Sequence, residues 1–310
     1  MRRRTLALLA TALVATTALA QTHQGLPAFS PAFKTREIAV DGTTLHVRVG
    51  GTGPAVTLLH GFGETGDMWA TLANDLARDH TVVVPDLRGM GLSARATSGF
   101  DKKTQGQNIA QLLDKLGVAK TQLVTHDIGN MVGYAFAAQY RDRVTSFVPI
   151  DAPLPGVGPW EEILKSPLLW HFRFGGPDME RLVAGRERIY LDRFWNEFSA
   201  TPARFGEAAR RHYARLYARP GNMHAGFSQF GAFDQDVIDN TAFMAQGKLE
   251  MPVLALGGEK SFGPMMATVM RAAASNVTEG VVPDSGHWIM EENPKATTAM
   301  VGDFLRRQPG

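Results

Sequence analysis

The chain has 310 residues, with 32 Lys and Arg against 30 Asp and Glu, 44% hydrophobic residues and no cysteine. This length and apolar content support a large buried core and exclude an intrinsically disordered chain. The absence of cysteine excludes a disulfide scaffold, a thiol nucleophile and a thiolate zinc site, and the near balance of charge gives no footprint for nucleic acid.

The first twenty residues read as a secretory signal peptide. Arg2, Arg3 and Arg4 open it, an apolar Ala-rich run follows from Leu6 to Leu19, and Ala18-Leu19-Ala20 forms a small-x-small cleavage site. The run is shorter than the ~20 residues of a membrane span, so no stable membrane anchor is expected after processing. The segment holds three Arg and no acid, which leaves 29 basic and 30 acidic residues in the mature chain. The expected location is the periplasm or the medium.

Residues 21–33 have little pattern and read as a lead-in. Residues 34–40 and 44–50 alternate apolar and polar about Asp41-Gly42, as a hairpin does. Short apolar runs at 55–59, 81–84, 121–125, 144–150, 252–256 and 277–282 read as buried strands. Helical spacing occupies 68–78, 104–116, 130–140, 265–274 and 294–306 between them. Strands alternating with helices predict an α/β fold, a mostly parallel eight-stranded sheet with helices on both faces. From 152 to 240 the rhythm breaks: this stretch of 89 residues holds 14 of the 27 aromatic residues and no strand pattern. It reads as a helical cap inserted into a core made of 34–151 and 241–310. So many rings imply a small apolar or amphipathic substrate. A homodimer is compatible with this composition.

Three motifs carry the chemistry. At the end of the 121–125 strand the chain reads Thr125-His126-Asp127-Ile128-Gly129, a strand–turn–helix in which Asp127 holds the place of the Ser in a Gly-x-Ser-x-Gly elbow. His60-Gly61-Phe62-Gly63 follows the 55–59 strand, where the main-chain N–H groups of Phe62 and Ile128 are placed to hold a reacting oxygen. Gly286-His287-Trp288 follows the last strand, where a catalytic His comes late in the chain. Two acids are candidates to orient His287: Asp151, just after the 144–150 strand and the favoured one, and Glu259, after the 252–256 strand. An Asp nucleophile suits displacement at saturated carbon and not acyl transfer, where it would form a labile anhydride. No cofactor or metal is required, and no metal-ligand cluster stands out among the nine His.

Together these motifs resemble the α/β-hydrolases with an Asp nucleophile: epoxide hydrolases, haloalkane dehalogenases and fluoroacetate dehalogenases. The likeness is nearest to the secreted Cif-type bacterial epoxide hydrolases, through His60-Gly-Phe-Gly-Glu-Thr, Asp151-Ala-Pro-Leu-Pro, Trp170-His171-Phe-Arg-Phe and Gly286-His-Trp. The resemblance implies the α/β-hydrolase fold with a cap. It also implies epoxide opening through a covalent Asp127 ester, with His171 and a cap Tyr donating to the epoxide oxygen. His60, Trp170 and Phe230 are expected to line the substrate pocket. The expected Phe-x-x-Tyr-Arg reads Phe227-Ser-Gln-Phe230-Gly231, so the second donor is missing or comes from Tyr190, Tyr213 or Tyr217. Fluoroacetate dehalogenases place Arg residues just after the nucleophile, where this chain has Ile128 and Met131, and haloalkane dehalogenases place Trp where it has Ile128. A dehalogenase on the same ester route and a ligand-binding homologue without turnover are the alternatives.

Overall fold

A computed structural model describes residues 26–308; the expected signal peptide at 1–20 lies outside the described residues. Eight strands form one sheet: β1 (Lys34–Val40), β2 (Thr43–Gly50), β3 (Ala55–Leu59), β4 (Thr81–Pro85), β5 (Thr121–His126), β6 (Val144–Ile150), β7 (Val253–Gly258) and β8 (Val277–Val282). Their spatial order is β1-β2-β4-β3-β5-β6-β7-β8. The β1–β2 hairpin and the β2–β4 pair are antiparallel, and every later pair is parallel.

Alternation along the strands splits the core into two layers, because successive side chains point to opposite faces. On β5, Leu123 joins the layer under the helices Lys102–Lys115 and Ile128–Gln139, while Val124 joins the layer under Ala70–Leu76 and Pro294–Leu305. Phe147 and Val148 on β6 divide in the same way. The helix Lys102–Lys115 starts where Asp101 caps it, its carboxylate accepting from the Thr104 N–H at 2.8 Å.

Between β6 and β7 the chain forms helices at Trp160–Ile163, Pro177–Val183, Glu187–Glu197, Glu207–Tyr217, Asn222–Gly231 and Phe233–Met244. The last of these runs past 240, the boundary expected for the cap. It is tied to the core by the fully buried ion pair Lys102–Asp236, 2.9 Å, and by packing of Phe243 on Tyr134. The parallel strands β3, β5, β6 and β7 all end on the same side, and the chemistry-bearing loops follow those ends.

Candidate active site

The β5 strand ends in a turn that few residues tolerate. Asp127 has φ 51° and ψ −122°, and the helix Ile128–Gln139 begins immediately after it. Positive φ at a non-glycine residue costs ~1–3 kcal/mol and persists where the surroundings over-determine it. Here they do. A Cβ at Gly129 would collide with the Leu59 carbonyl, and one at Gly61 would collide with the Asp127 side chain, so both glycines are needed for the close approach. Asp127 Oδ1 accepts the Phe62 N–H at 2.7 Å. Ile128 opens the helix, where the first N–H groups have no intrahelical partner and favour negative charge.

Facing the elbow is His287, on the loop after β8. Its Nε2 lies 3.8 Å from Asp127 Oδ2, while its Nδ1 is 2.9 Å from Asp151 Oδ2. Asp151 follows β6, is fully buried and has φ 52°. Its other oxygen accepts N–H groups from Gly258 at 2.7 Å and Phe262 at 3.2 Å, which fixes the carboxylate as an acceptor for the imidazole. Burial alone would lower the His287 pKa; the hydrogen bond and charge of Asp151, with the charge of Asp127, outweigh it and raise the value above the ordinary one. Asp127 therefore has one oxygen held by main chain and one turned to the imidazole.

Opposite this wall, the inserted helices present aromatic rings. Phe62 packs edge-on against Phe194, Tyr217 and Phe230, with centroids 5.3, 5.4 and 5.0 Å away. His171 is buried among Phe172, Phe194, Phe198 and Phe230. Burial, then the nearby Arg193 guanidinium, push its pKa down to about 3, so the ring is neutral at pH 7 and carries one N–H. Arg193 Nη1 lies 3.5 Å from His171 Nδ1, and the Leu168 carbonyl is a main-chain partner of the ring.

The description alpha/beta hydrolase fold matches residues 54–294. The chain belongs to the α/β-hydrolase fold family. It is similar to a soluble epoxide hydrolase from a Corynebacterium species, at 31% identity over 83% of this chain and 91% of the relative. A fluoroacetate dehalogenase from a Burkholderia species is 27% identical over 88% of this chain and 94% of its own. The crystal structure of Cfl2 from Burkholderia cenocepacia superimposes with a TM-score of 0.81 at 34% identity, covering 89% of this chain and 98% of that one.

Within this α/β-hydrolase, the elbow motif, His287, Asp151, Phe62 and Ile128 converge, and His171 and Phe230 stand across from them. Glu259 does not join them: its carboxylate is exposed, pairs with Lys260 and accepts the Asp284 N–H. His60 departs from the expectation of a pocket residue. It is fully buried, its Nε2 accepts the Leu87 N–H and its Nδ1 lies 2.9 Å from the Gly61 carbonyl, so both nitrogens are spent on main chain. Trp170 is 44% exposed and stacks under Arg193 on the outer side of the inserted helices.

Of the three tyrosines named as a possible second donor, Tyr217 is occupied, Tyr213 is placed elsewhere and Tyr190 is available. Tyr217 Oη accepts the Gly63 N–H at 2.8 Å and leans on the Glu64 carbonyl, so it props the loop that carries Phe62. Tyr213 is buried near Glu64 and Glu291. The Tyr190 ring packs edge-on against Phe62 and Phe194 in the same nest of rings, and its buried hydroxyl has no hydrogen-bond partner among the described residues, so it remains the candidate second donor. No motif pointed to the Tyr217 prop, because the two partners are 154 residues apart.

Proposed function

We propose that this enzyme opens epoxides to diols through a covalent ester on Asp127. The observation that carries the reading is the division of labour on that carboxylate. Oδ1 is fixed by the Phe62 N–H, Oδ2 is turned into the site, and His287 stands behind with Asp151 holding its Nδ1. Oδ2 attacks an epoxide carbon as the C–O bond breaks, and the neutral His171 donates a hydrogen bond to the departing oxygen, which takes a proton from solvent. Water then loses a proton to His287 Nε2 and adds to the ester carbon. The former Oδ1 bears the charge beside the Phe62 and Ile128 N–H groups, and the diol leaves with the proton returned by His287.

The similarity to an epoxide hydrolase over most of both chains supports this substrate class. The rings around Phe62 and His171 support a small apolar or amphipathic epoxide. The basic start and apolar run of residues 2–19 support export to the periplasm or medium. Among the described residues no helix is long and apolar enough to cross a membrane.

A second reading, dehalogenation through the same ester, is favoured by the likeness to a fluoroacetate dehalogenase. Against it, the positions that resemblance would fill with Arg are Ile128 and Met131, both buried and apolar. A single-turnover experiment in ¹⁸O-labelled water, with styrene oxide and fluoroacetate as probes, tests both. Diol whose new oxygen comes unlabelled from the protein supports the proposal. Full label on the first turnover excludes the ester route, and fluoride release without diol selects the second reading.

A further inference from the structure

Behind the catalytic wall lies a group of buried polar atoms that the proposed reaction does not use. Glu64 follows the Phe62 loop, is fully buried, and neither carboxyl oxygen has a hydrogen-bond partner among the described residues. His126, immediately before Asp127, is equally buried, and its Nδ1 lies 3.5 Å from Glu64 Oε2 without a hydrogen bond. Glu291, on the short helix after His287, turns a buried and unpartnered Oε2 into the same region.

The proton positions follow from geometry. His126 Nε2 is 2.9 Å from the His287 carbonyl oxygen. A carbonyl only accepts, so Nε2 carries the hydrogen. Burial, then the proximity of His287, lower the His126 pKa to about 3, so the ring is neutral and Nδ1 is a bare acceptor. A bare acceptor facing an ionised carboxylate across 3.5 Å, away from solvent, would be two acceptors with nothing between them. A proton on Glu64 resolves this.

The groups that face Glu64 favour that proton. Glu291 stands beside it, and Asp127 adds a second negative charge. Tyr213, from the helix Glu207–Tyr217, and Tyr217 contribute uncharged phenols. Around His126 the titratable groups are His287, Asp127 and His60. Glu292, next to Glu291, has its carboxylate engaged by the Gly286 and Thr201 N–H groups. His287, when protonated, is the cation in this company. Burial and the neighbouring Glu291 push the Glu64 pKa well above the ordinary carboxyl value, and burial pushes Glu291 up to about 7.

We propose that Glu64, kept protonated at neutral pH by the neighbouring Glu291, acts through His126 as a positioning residue for the His287 loop. While Glu64 is protonated, its O–H serves Nδ1 and the Nε2–H of His126 anchors the His287 carbonyl. When Glu64 releases its proton to solvent at higher pH, His126 moves its single proton from Nε2 to Nδ1 to satisfy the carboxylate. The anchor on the His287 main chain is then lost. The device depends on the elbow geometry alone and holds whichever substrate the enzyme takes.

The test uses Glu64→Gln, which keeps the shape and can donate to Nδ1 at every pH. Infrared spectra of the wild type at pH 7 should show a protonated carboxyl C=O band that Glu64→Gln removes. Histidine ¹⁵N spectra should show His126 protonated on Nε2 at neutral pH, shifting toward Nδ1 at alkaline pH in the wild type and not in the variant. A raised carboxyl pKa penalises the fold once pH passes the unfolded value, so the melting temperature of Glu64→Gln should overtake that of the wild type as pH rises from 5 to 8. Identical carboxyl bands, an Nδ1-protonated His126 at pH 7, or a variant that loses ground with rising pH would each overturn the proposal. Should Glu64→Gln not fold, Glu291→Gln supplies the second arm. It should shift the titration of the Glu64 band to lower pH, and an unmoved titration counts against the proposal.

Discussion

The two walls of the site are built on different principles. On the sheet side, Asp127, His287 and Asp151 sit at strand ends, and main-chain N–H groups from Phe62, Gly258 and Phe262 fix the two carboxylates. On the inserted-helix side, the His171 imidazole and the unpartnered Tyr190 hydroxyl stand in a nest of rings, and the position where a phenol would be expected is Phe230. The sheet side is set by backbone geometry, which tolerates no change of shape; two of its three acting residues have positive φ. The helix side is set by side-chain packing, which can exchange one ring for another. The first wall dictates what kind of bond forms, and the second dictates which leaving group is helped.

The harshest way to break the comparison is to remove the carboxylate. Asp127→Asn should lower turnover by about 10⁴-fold or more, as loss of a covalent nucleophile does, with the fold intact by circular dichroism. Next comes the partner. His287→Gln should form the ester and stop, so mass spectrometry after mixing with styrene oxide should show one adduct on the peptide holding Asp127. Asp151→Asn should cost about 10³–10⁴-fold by presenting the wrong hydrogen-bond partner to Nδ1. An unaffected His287→Gln would place the base elsewhere.

How much of this was legible beforehand follows the same division. All eight strands read correctly, β1 and β2 because the strands of a hairpin alternate apolar and polar, and the central strands because buried parallel strands are apolar runs. The elbow, the Gly-His loop and Asp151 come together in space because they sit at fixed offsets from strand ends. The misplaced residues were those whose role depends on side-chain direction. His60 stands in the right motif, yet its ring turns inward to the Leu87 N–H. Trp170 adjoins His171 in sequence, but adjacent residues point to different sides and it faces outward under Arg193. Glu64 and His126 adjoin Phe62 and Asp127 in the very motifs that were read, and polar residues beside a buried turn were the available signal for the positioning role of Glu64.

Smaller effects sharpen the contrast. His171→Ala should slow ester formation by about 10²–10³-fold, as removal of one donor to a developing oxyanion does, and leave hydrolysis of a preformed ester unchanged. Rapid-quench measurement of the two steps separates them; equal slowing of both would move His171 out of the ring-opening role. The pH dependence falls on the other wall. His287 must be neutral to accept a proton from water, so hydrolysis of the ester should fail as pH drops through the His287 pKa; in the ester Asp127 has lost its charge, and only the hydrogen bond and charge of Asp151 still raise that value. In the free enzyme the raised pKa adds stability below pH 6.5 that is lost as pH rises through the folded value, so the melting-temperature gap between wild type and His287→Gln should be widest in acid.

The mildest change is Phe230→Tyr, and its two expected effects have opposite signs. The ring lies 5.0 Å from Phe62 and 5.1 Å from His171, centroid to centroid, so a hydroxyl added there enters the nest beside the donor already present. Buried without a partner in the free enzyme, that hydroxyl should cost about 1–3 kcal/mol, seen as a lower denaturation midpoint. With an epoxide bound, the opening oxygen supplies the missing partner, so the penalty is relieved only as the C–O bond breaks. An interaction gained in the transition state and absent in the ground state raises the rate of ester formation. The variant should therefore be less stable and faster at ring opening, with ester hydrolysis unchanged. A variant that is less stable and no faster would mean that the ring at 230 packs against His171 without reaching the oxygen, and a second donor would then have to come from Tyr190.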